Sequence, residues 1–162
     1  MTISVGQKIP SVKIKAVTAD GTKDIDTAEL FAGKKVVMFS LPGAFTPTCS
    51  AKHLPGYVAK ADELKAKGVQ MIACLSVNDA FVMDAWAKEH NAVGIVTMLA
   101  DGSAAFTKAL GIEGDLSAFG MGERARRGVF LIEDGVVKTI ELEAPGKFEV
   151  SSAEACSIAL GK

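Results

Sequence analysis

Lys35-Val36-Val37-Met38-Phe39-Ser40-Leu41-Pro42-Gly43-Ala44-Phe45-Thr46-Pro47-Thr48-Cys49-Ser50 is the stretch on which the fold turns. Lys35 to Ser40 is a short, nearly continuous apolar run, the pattern of a strand buried on both faces. Leu41-Pro42-Gly43 ends it, because proline removes a ladder donor and glycine loosens the backbone. A loop rich in proline and glycine then feeds a segment that reads as helix from Pro47 or Thr48 to about Lys67. In that helix Leu54, Val58, Ala61 and Leu64 form one apolar stripe, and Gly68 stops it. Pro55 falls inside and predicts a kink near the second turn.

Working outward, Val12 to Val17 alternates apolar and charged residues as a half-exposed strand or hairpin arm should, and Asp20-Gly21 is a turn signal. Downstream, Val69 to Val77 reads as a second buried strand. Asp79 to His90 reads as a helix capped by Asn78 or Asp79, with Phe81, Val82, Ala85 and Trp86 facing inward. Ile95 to Leu99 is a third strand, and Asp101-Gly102-Ser103 leads into a helix ending at Gly111. Val129 to Glu133 and Val136 to Leu142 flank Asp134-Gly135, the strongest short hairpin signal in the chain. Ser151 or Ser152 caps a last helix reaching Leu160, with Glu154 placed for a capping box. Strand–helix alternation followed by a hairpin and a terminal helix predicts an α/β architecture. It is a central mixed β-sheet flanked by helices, the general plan of a thioredoxin-like fold, with residues 1–162 as a single domain.

At 162 residues such a chain buries a full core without staples. A formal net charge of −1 provides no basic field for nucleic acid or an anionic membrane, so neither partner is expected. No apolar run approaches the ~18 residues needed to span a bilayer. Met1 to Gly6 lacks a charged segment followed by an apolar one, so no secretory signal is expected. The three cysteines, Cys49, Cys74 and Cys156, are too few and scattered for a disulfide framework. Two histidines and no CxxC offer no metal-site spacing. A reducing compartment follows, hence a cytoplasmic location, or an organelle after removal of a presequence. In that setting a cysteine is to be examined as a reactive group.

Cys49 sits where a strand's carboxyl end passes through a loop into a helix, the place where open α/β sheets put their sites. A helix N-terminus presents free backbone N–H groups and a positive dipole end, and both favour thiolate, the nucleophilic form. Thr46, three residues earlier, can bring a hydroxyl to the sulfur or to a bound oxygen substrate. Pro42 and Pro47 stiffen the loop. The alternative is that Cys49 is a small apolar residue packed under a helix start.

Pro42-x-x-x-Thr46-x-x-Cys49 resembles the active-site signature of the peroxiredoxins. The fuller string from Pro42 to Ser50, followed by His53-Leu54-Pro55-Gly56, resembles the type II, peroxiredoxin 5-like group. Similarity extends to Ser76-Val77-Asn78-Asp79-Ala80-Phe81-Val82-Met83, Ala100-Asp101-Gly102-Ser103 and Glu133-Asp134-Gly135-Val136-Val137-Lys138. The resemblance implies that Cys49 attacks the terminal oxygen of a hydroperoxide and becomes a sulfenic acid. It implies that Thr46 and an arginine orient the peroxide, and that Pro42 shields the site from water. Hydrogen peroxide and alkyl hydroperoxides are the implied substrates, with glutathione/glutaredoxin or thioredoxin as reductant and no metal, haem or flavin. A homodimer pairing through loops near the site is also implied, with Phe45 and Phe119 as the aromatics to bury there.

Arg127, just before the strand Val129 to Glu133, is the arginine chosen by that resemblance. The family usually carries an aromatic residue next, where this chain has Gly128, and Arg124 and Arg126 remain competitors. Cys74 reads as core packing from its strand, while the resemblance makes it a possible resolving cysteine. Reaching Cys49 from there requires the first helical turn to unravel. Cys156 matches no family position and reads as a packed thiol. His53, four residues after Cys49, shares its helix face. A Cys/His pair could suggest acyl transfer, but no orienting carboxylate accompanies it, which favours a structural histidine. Trp86, Phe81 and Met83 read as core or subunit-contact residues. The competing functional reading is a redox-sensing or holdase module using the same thiol without fast turnover.

Overall fold

The computed structural model describes residues 1–160. Over these residues the elements run β1 (Lys13–Thr18), β2 (Gly21–Asp26), α1 (Thr27–Phe31), β3 (Lys35–Ser40), a π-helical segment (Cys49–His53), α2 (Leu54–Ala66), β4 (Met71–Ser76), α3 (Ala80–Glu89), β5 (Thr97–Ala100), α4 (Ala105–Leu110), β6 (Glu113–Asp115), β7 (Glu123–Ala125), β8 (Gly128–Glu133), β9 (Val136–Leu142) and α5 (Ala153–Leu160). Seven strands form one mixed sheet in the order β2-β1-β5-β4-β3-β8-β9, and β6 pairs with β7 in a separate ribbon. The central strands β3, β4 and β5 are parallel, and β1 and β8 run antiparallel to their neighbours β5 and β3. This is the thioredoxin-like arrangement predicted.

Strand alternation divides the apolar residues between two layers. Val37 and Phe39 of β3, Ile72 and Cys74 of β4, and Val129 and Leu131 of β8 face α2, α3 and α5. Val36, Met38, Ala73, Leu75, Phe130 and Ile132 face α1 and α4, with Phe31, Phe106 and Leu110. Each large side chain fully buried here contributes about 1.5–3 kcal/mol from removal of apolar surface from water. The consequence for function is positional. Parity puts Cys74 on the same side of the sheet as Cys49, Tyr57 and Cys156.

Asp134-Gly135 forms the tight turn expected, both residues with positive φ (49° and 74°), between the paired strands β8 and β9. Asp79 caps α3 through a bond from the Val82 N–H at 2.9 Å. Three expectations are corrected. In α3 the buried residues are Met83, Trp86 and Ala87, whereas Phe81 and Ala85 are exposed. The i, i+3, i+4 stripe is therefore Met83, Trp86 and Ala87, and Phe81, two residues before Met83, falls on the opposite side of the helix. Ser152 rather than Ser151 caps α5, accepting from Ala155 N–H at 3.1 Å, so Glu154 falls outside a capping box. Ser151 is drawn instead onto Glu143. Finally, the disturbance expected from Pro55 is a π-helical segment of five residues ahead of it. There Leu54 N–H reaches back to Cys49 O, since Pro55 has no N–H to continue a regular α-helical ladder. Strands β2, β6 and β7 and the short helix α1 carry too little apolar periodicity to be read in advance. Among the described residues no helix is long and apolar enough to cross a membrane.

Candidate active site

The site is assembled at the carboxyl end of β3. Leu41 N–H continues the ladder to Leu75 O at 3.2 Å, and Ser40 Oγ donates to Arg126 O at 2.7 Å. The chain then leaves the sheet through Pro42 to Thr46. Arg124 ties this loop down, donating from Nη1 to Pro42 O at 3.1 Å and from Nε to Met121 O at 2.9 Å. A Cβ at position 43 would lie 2.7 Å from Arg124 Nη1, so any side chain there would displace the tip of the arginine that holds Pro42 O. On the other flank Asn78 Oδ1 accepts from Ala44 N–H at 2.9 Å and from Ser76 Oγ at 2.5 Å. Phe45 is held at φ 64°, a conformation uncommon for a residue with a side chain. Ser50 N–H donates to Thr46 O at 2.9 Å, starting the helix. Cys49 thus lies in the first turn, where backbone donors lack intrahelical partners.

Cys49 is fully buried, and Arg127 Nη2 donates to its Sγ at 3.1 Å. This contact sets a fixed positive charge and a charged donor against the sulfur. The second nitrogen, Nη1, lies 2.8 Å from His53 Nδ1. Since guanidinium only donates, Nδ1 must be the acceptor and Nε2 must carry the proton. That proton goes to Ser151 O at 3.0 Å, so both imidazole nitrogens are satisfied only by the neutral Nε2–H tautomer. Burial, and then the charge of Arg127, push the His53 imidazole down to about 3, against which the Ser151 bond raises it. Phe148 closes the other side, edge-on to His53 at 5.1 Å and 5.9 Å from Arg127 Cζ.

Of the competing arginines, Arg127 is the one brought to the thiol. Arg124 serves the loop carbonyls, and Arg126 is exposed. Strand alternation does not run through this stretch, because β7 ends at Ala125 and β8 begins at Gly128. Gly128 departs from the family's usual aromatic residue for a local reason. A Cβ would meet Leu142 Cδ2 at 2.6 Å and Glu141 O at 2.8 Å across the β8–β9 pairing. Pro42 is half-buried at the loop start. Thr46 Oγ1 donates to Gly43 O at 2.7 Å rather than to the sulfur, leaving its lone pairs as acceptors.

Cys74 is fully buried in β4 with Phe39 of β3 as its register partner. Burial, then the nearby Cys49, push its thiol well above the ordinary range, while Arg127 pulls the other way. Cys156 lies on the buried face of α5, and burial pushes it up to about 11 despite Tyr57 and Lys67. All three thiols are free. His53 bonds Ser151 O and Arg127 Nη1, and the second contact ties it to the site. Glu143, Phe148 and Ser151 reach the site only through tertiary contacts. Their only advance signal is a carboxylate placed just before Ala144-Pro145-Gly146. Among the described residues no group of His, Cys, Asp and Glu is placed to hold a metal.

Fold and site define a thioredoxin-like protein built around a helix-terminal thiol and its arginine. The Redoxin family profile matches residues 4–156. A chloroplastic peroxiredoxin-2E-2 of Oryza sativa subsp. japonica is 55% identical over 159 residues, covering 94% of this chain and 70% of its own. Peroxiredoxin-2B of Arabidopsis thaliana is 48% identical over 155 residues, covering 94% of each chain. Reduced Prx3 of Vibrio vulnificus in complex with hydrogen peroxide superposes with a TM-score of 0.93 at 53% identity, over 98% of this chain and 99% of that one. The chain belongs to the Redoxin family, as a peroxiredoxin. It is a thiol-dependent peroxidase, with peroxide as oxidant and a thiol-based reductant.

Proposed function

We propose that Cys49 is the peroxide-reducing nucleophile, and the observation that carries this is the 3.1 Å bond from Arg127 Nη2 to its sulfur. The thiolate attacks the terminal oxygen of ROOH, forming an S–O bond as the O–O bond breaks. The leaving RO⁻ takes up a proton to give ROH or, from hydrogen peroxide, water. Sulfur is oxidised to the sulfenic acid and the peroxide is reduced. Arg127, free to shift a nitrogen from sulfur to oxygen, stabilises the charge growing on the leaving atom. Thr46 accepts a hydrogen bond from the peroxide O–H, and Pro42 limits water at the loop. An external thiol then forms a mixed disulfide with release of water, and a second thiol returns the Cys49 thiolate.

The string from Pro42 to Gly56 supports placement in the type II, peroxiredoxin 5-like group, with the chain working as one catalytic domain. Glutathione/glutaredoxin or thioredoxin suits the recycling step, and Cys74 is held in reserve as a possible resolving thiol. A homodimer is supported by Phe45, Phe81 and Phe119, which stand 50%, 88% and 76% exposed. A reducing compartment suits three free thiols, either the cytoplasm or an organelle. The test is a peroxidase assay of Cys49→Ser, Cys74→Ser and Cys156→Ser with each reductant. Cys49→Ser is expected to retain no turnover while keeping its circular dichroism. Retention of a tenth of the activity would overturn the assignment. Single oxidation without recycling by any thiol would point to a sensor.

A further inference from the structure

We propose that Glu143 is a positioning residue for the Arg127–Cys49 contact, holding the arginine from both its backbone and its guanidinium end. The inference rests on the Cys49 reading above. Glu143 follows the last residue of β9 and is buried. Its N–H donates to Arg127 O at 2.9 Å, which fixes the backbone from which the guanidinium projects. Its side chain acts on the far end through Ser151.

One carboxylate oxygen, Glu143 Oε2, accepts from Glu149 N–H at 2.8 Å, Val150 N–H at 2.9 Å, Ser151 N–H at 2.9 Å and Ser151 Oγ at 2.7 Å. Four donors converge on that one oxygen, and a charged acceptor binds such donors more strongly than a neutral one. Burial opposes that charge, but the Ser151 hydroxyl and the three N–H groups outweigh it and hold the carboxyl below its ordinary range. With its N–H and hydroxyl captured, Ser151 presents its carbonyl to the site. That carbonyl accepts from His53 Nε2 at 3.0 Å and from Tyr57 OH at 2.8 Å. The first bond selects the tautomer whose Nδ1 receives Arg127 Nη1 at 2.8 Å, and this orients Nη2 onto sulfur. Closure of the Ala144–Val150 loop onto Glu143 also seats Phe148 beside His53 and Arg127. Among the described residues Arg127 is the one side chain that hydrogen-bonds the Cys49 sulfur.

A loop staple alone would change stability and leave the reactivity of the thiol where it was. Glu143→Gln separates the two, because an amide keeps the shape and loses the charge that gathers four donors. With its fold verified by circular dichroism, the full-length variant is expected to react about tenfold more slowly with hydrogen peroxide. Nitrogen-15 spectra should show His53 as a tautomer mixture in place of Nε2–H alone. Peroxide reactivity within about twofold of the parent, with His53 still Nε2–H alone, would overturn the inference. Should Glu143→Gln not fold, Ser151→Ala decides, since it removes one donor and spares three. A slower reaction with the same His53 tautomer mixture supports the role, and parent-like values refute it. Cys49→Ser run in parallel keeps the questions apart: turnover in that variant sinks the nucleophile assignment, whereas a parent-like Glu143→Gln sinks only this one.

Discussion

Arg127 and His53 meet at 2.8 Å between Nη1 and Nδ1, although they come from opposite sides of the site and 74 positions apart in the chain. His53 lies one turn beyond Cys49 on the same helix, so a single guanidinium bonds both residues of that turn at once. The fork geometry explains why an arginine stands here. A guanidinium has donors at a fixed angle, whereas an ammonium is a point charge on a flexible stem.

From that geometry, Arg127→Lys is expected to lower the second-order rate of peroxide reduction by about a hundredfold, the size of loss typical when a preorganised donor is removed. Stopped-flow oxidation by hydrogen peroxide measures it. A lysine variant within threefold of the parent would show that charge alone suffices and that the two-sided bond is incidental.

The neutral state of His53 makes stability dependent on pH. Its imidazole is held at about 3 in the folded protein, against 6.5 when unfolded. Between those values the unfolded chain binds a proton that the folded one does not, so stability declines as pH falls from about 6.5 towards about 3. By pH 5 the loss from this group is on the order of 2 kcal/mol. The Glu143 carboxylate, also held low, adds stability that is present above its unfolded value and lost at more acid pH. Urea unfolding at pH 7 and pH 5 reads the slope, and His53→Phe should flatten it. An equal slope in that variant would assign the acid sensitivity elsewhere.

Recycling depends on whether Cys74 can reach Cys49. Cys74 is fully buried in a central strand, and burial keeps its thiol protonated. A Cys49–Cys74 bond therefore needs local opening of the π-helical turn, whereas an external thiol needs only the access that peroxide uses. With glutathione and glutaredoxin supplied, Cys74→Ser is expected to keep most of its activity. Loss of more than nine-tenths in a folded variant would make Cys74 obligatory. A glutathione adduct on Cys49 after peroxide treatment supports the external route, and a Cys49–Cys74 crosslink opposes it.

Exposed aromatics supply the last expectation. Phe119 stands in a short turn after β6, 76% exposed, and Phe45 sits in the site loop, 50% exposed. Sedimentation equilibrium should give a concentration-dependent dimer, with Phe119→Lys shifted towards monomer at unchanged stability. Monomer throughout for the parent would remove the proposal.

Local chemistry carried the segment from Lys35 to Ser50. A strand, a proline-bound loop and a helix start are each specified by residues within a few positions of one another, so Cys49, Pro42 and Thr46 could be named in advance. The Asp134-Gly135 turn was legible for the same reason, because its positive φ values are a demand on two adjacent residues. What only the tertiary structure decided is which distant groups converge. Arg124, Arg126 and Arg127 are chemically alike, and the break between β7 and β8, with the bonds that hold Arg127, brings the last of them to the thiol. Trp86 and Phe81 share one short helix, yet the sheet covers the first and leaves the second in solvent. Glu143 and Ser151 belong to the site through a carboxylate oxygen and a carbonyl. Hydrogen bonding of that kind is set by where the backbone passes in space, and residue order along the chain does not encode it locally.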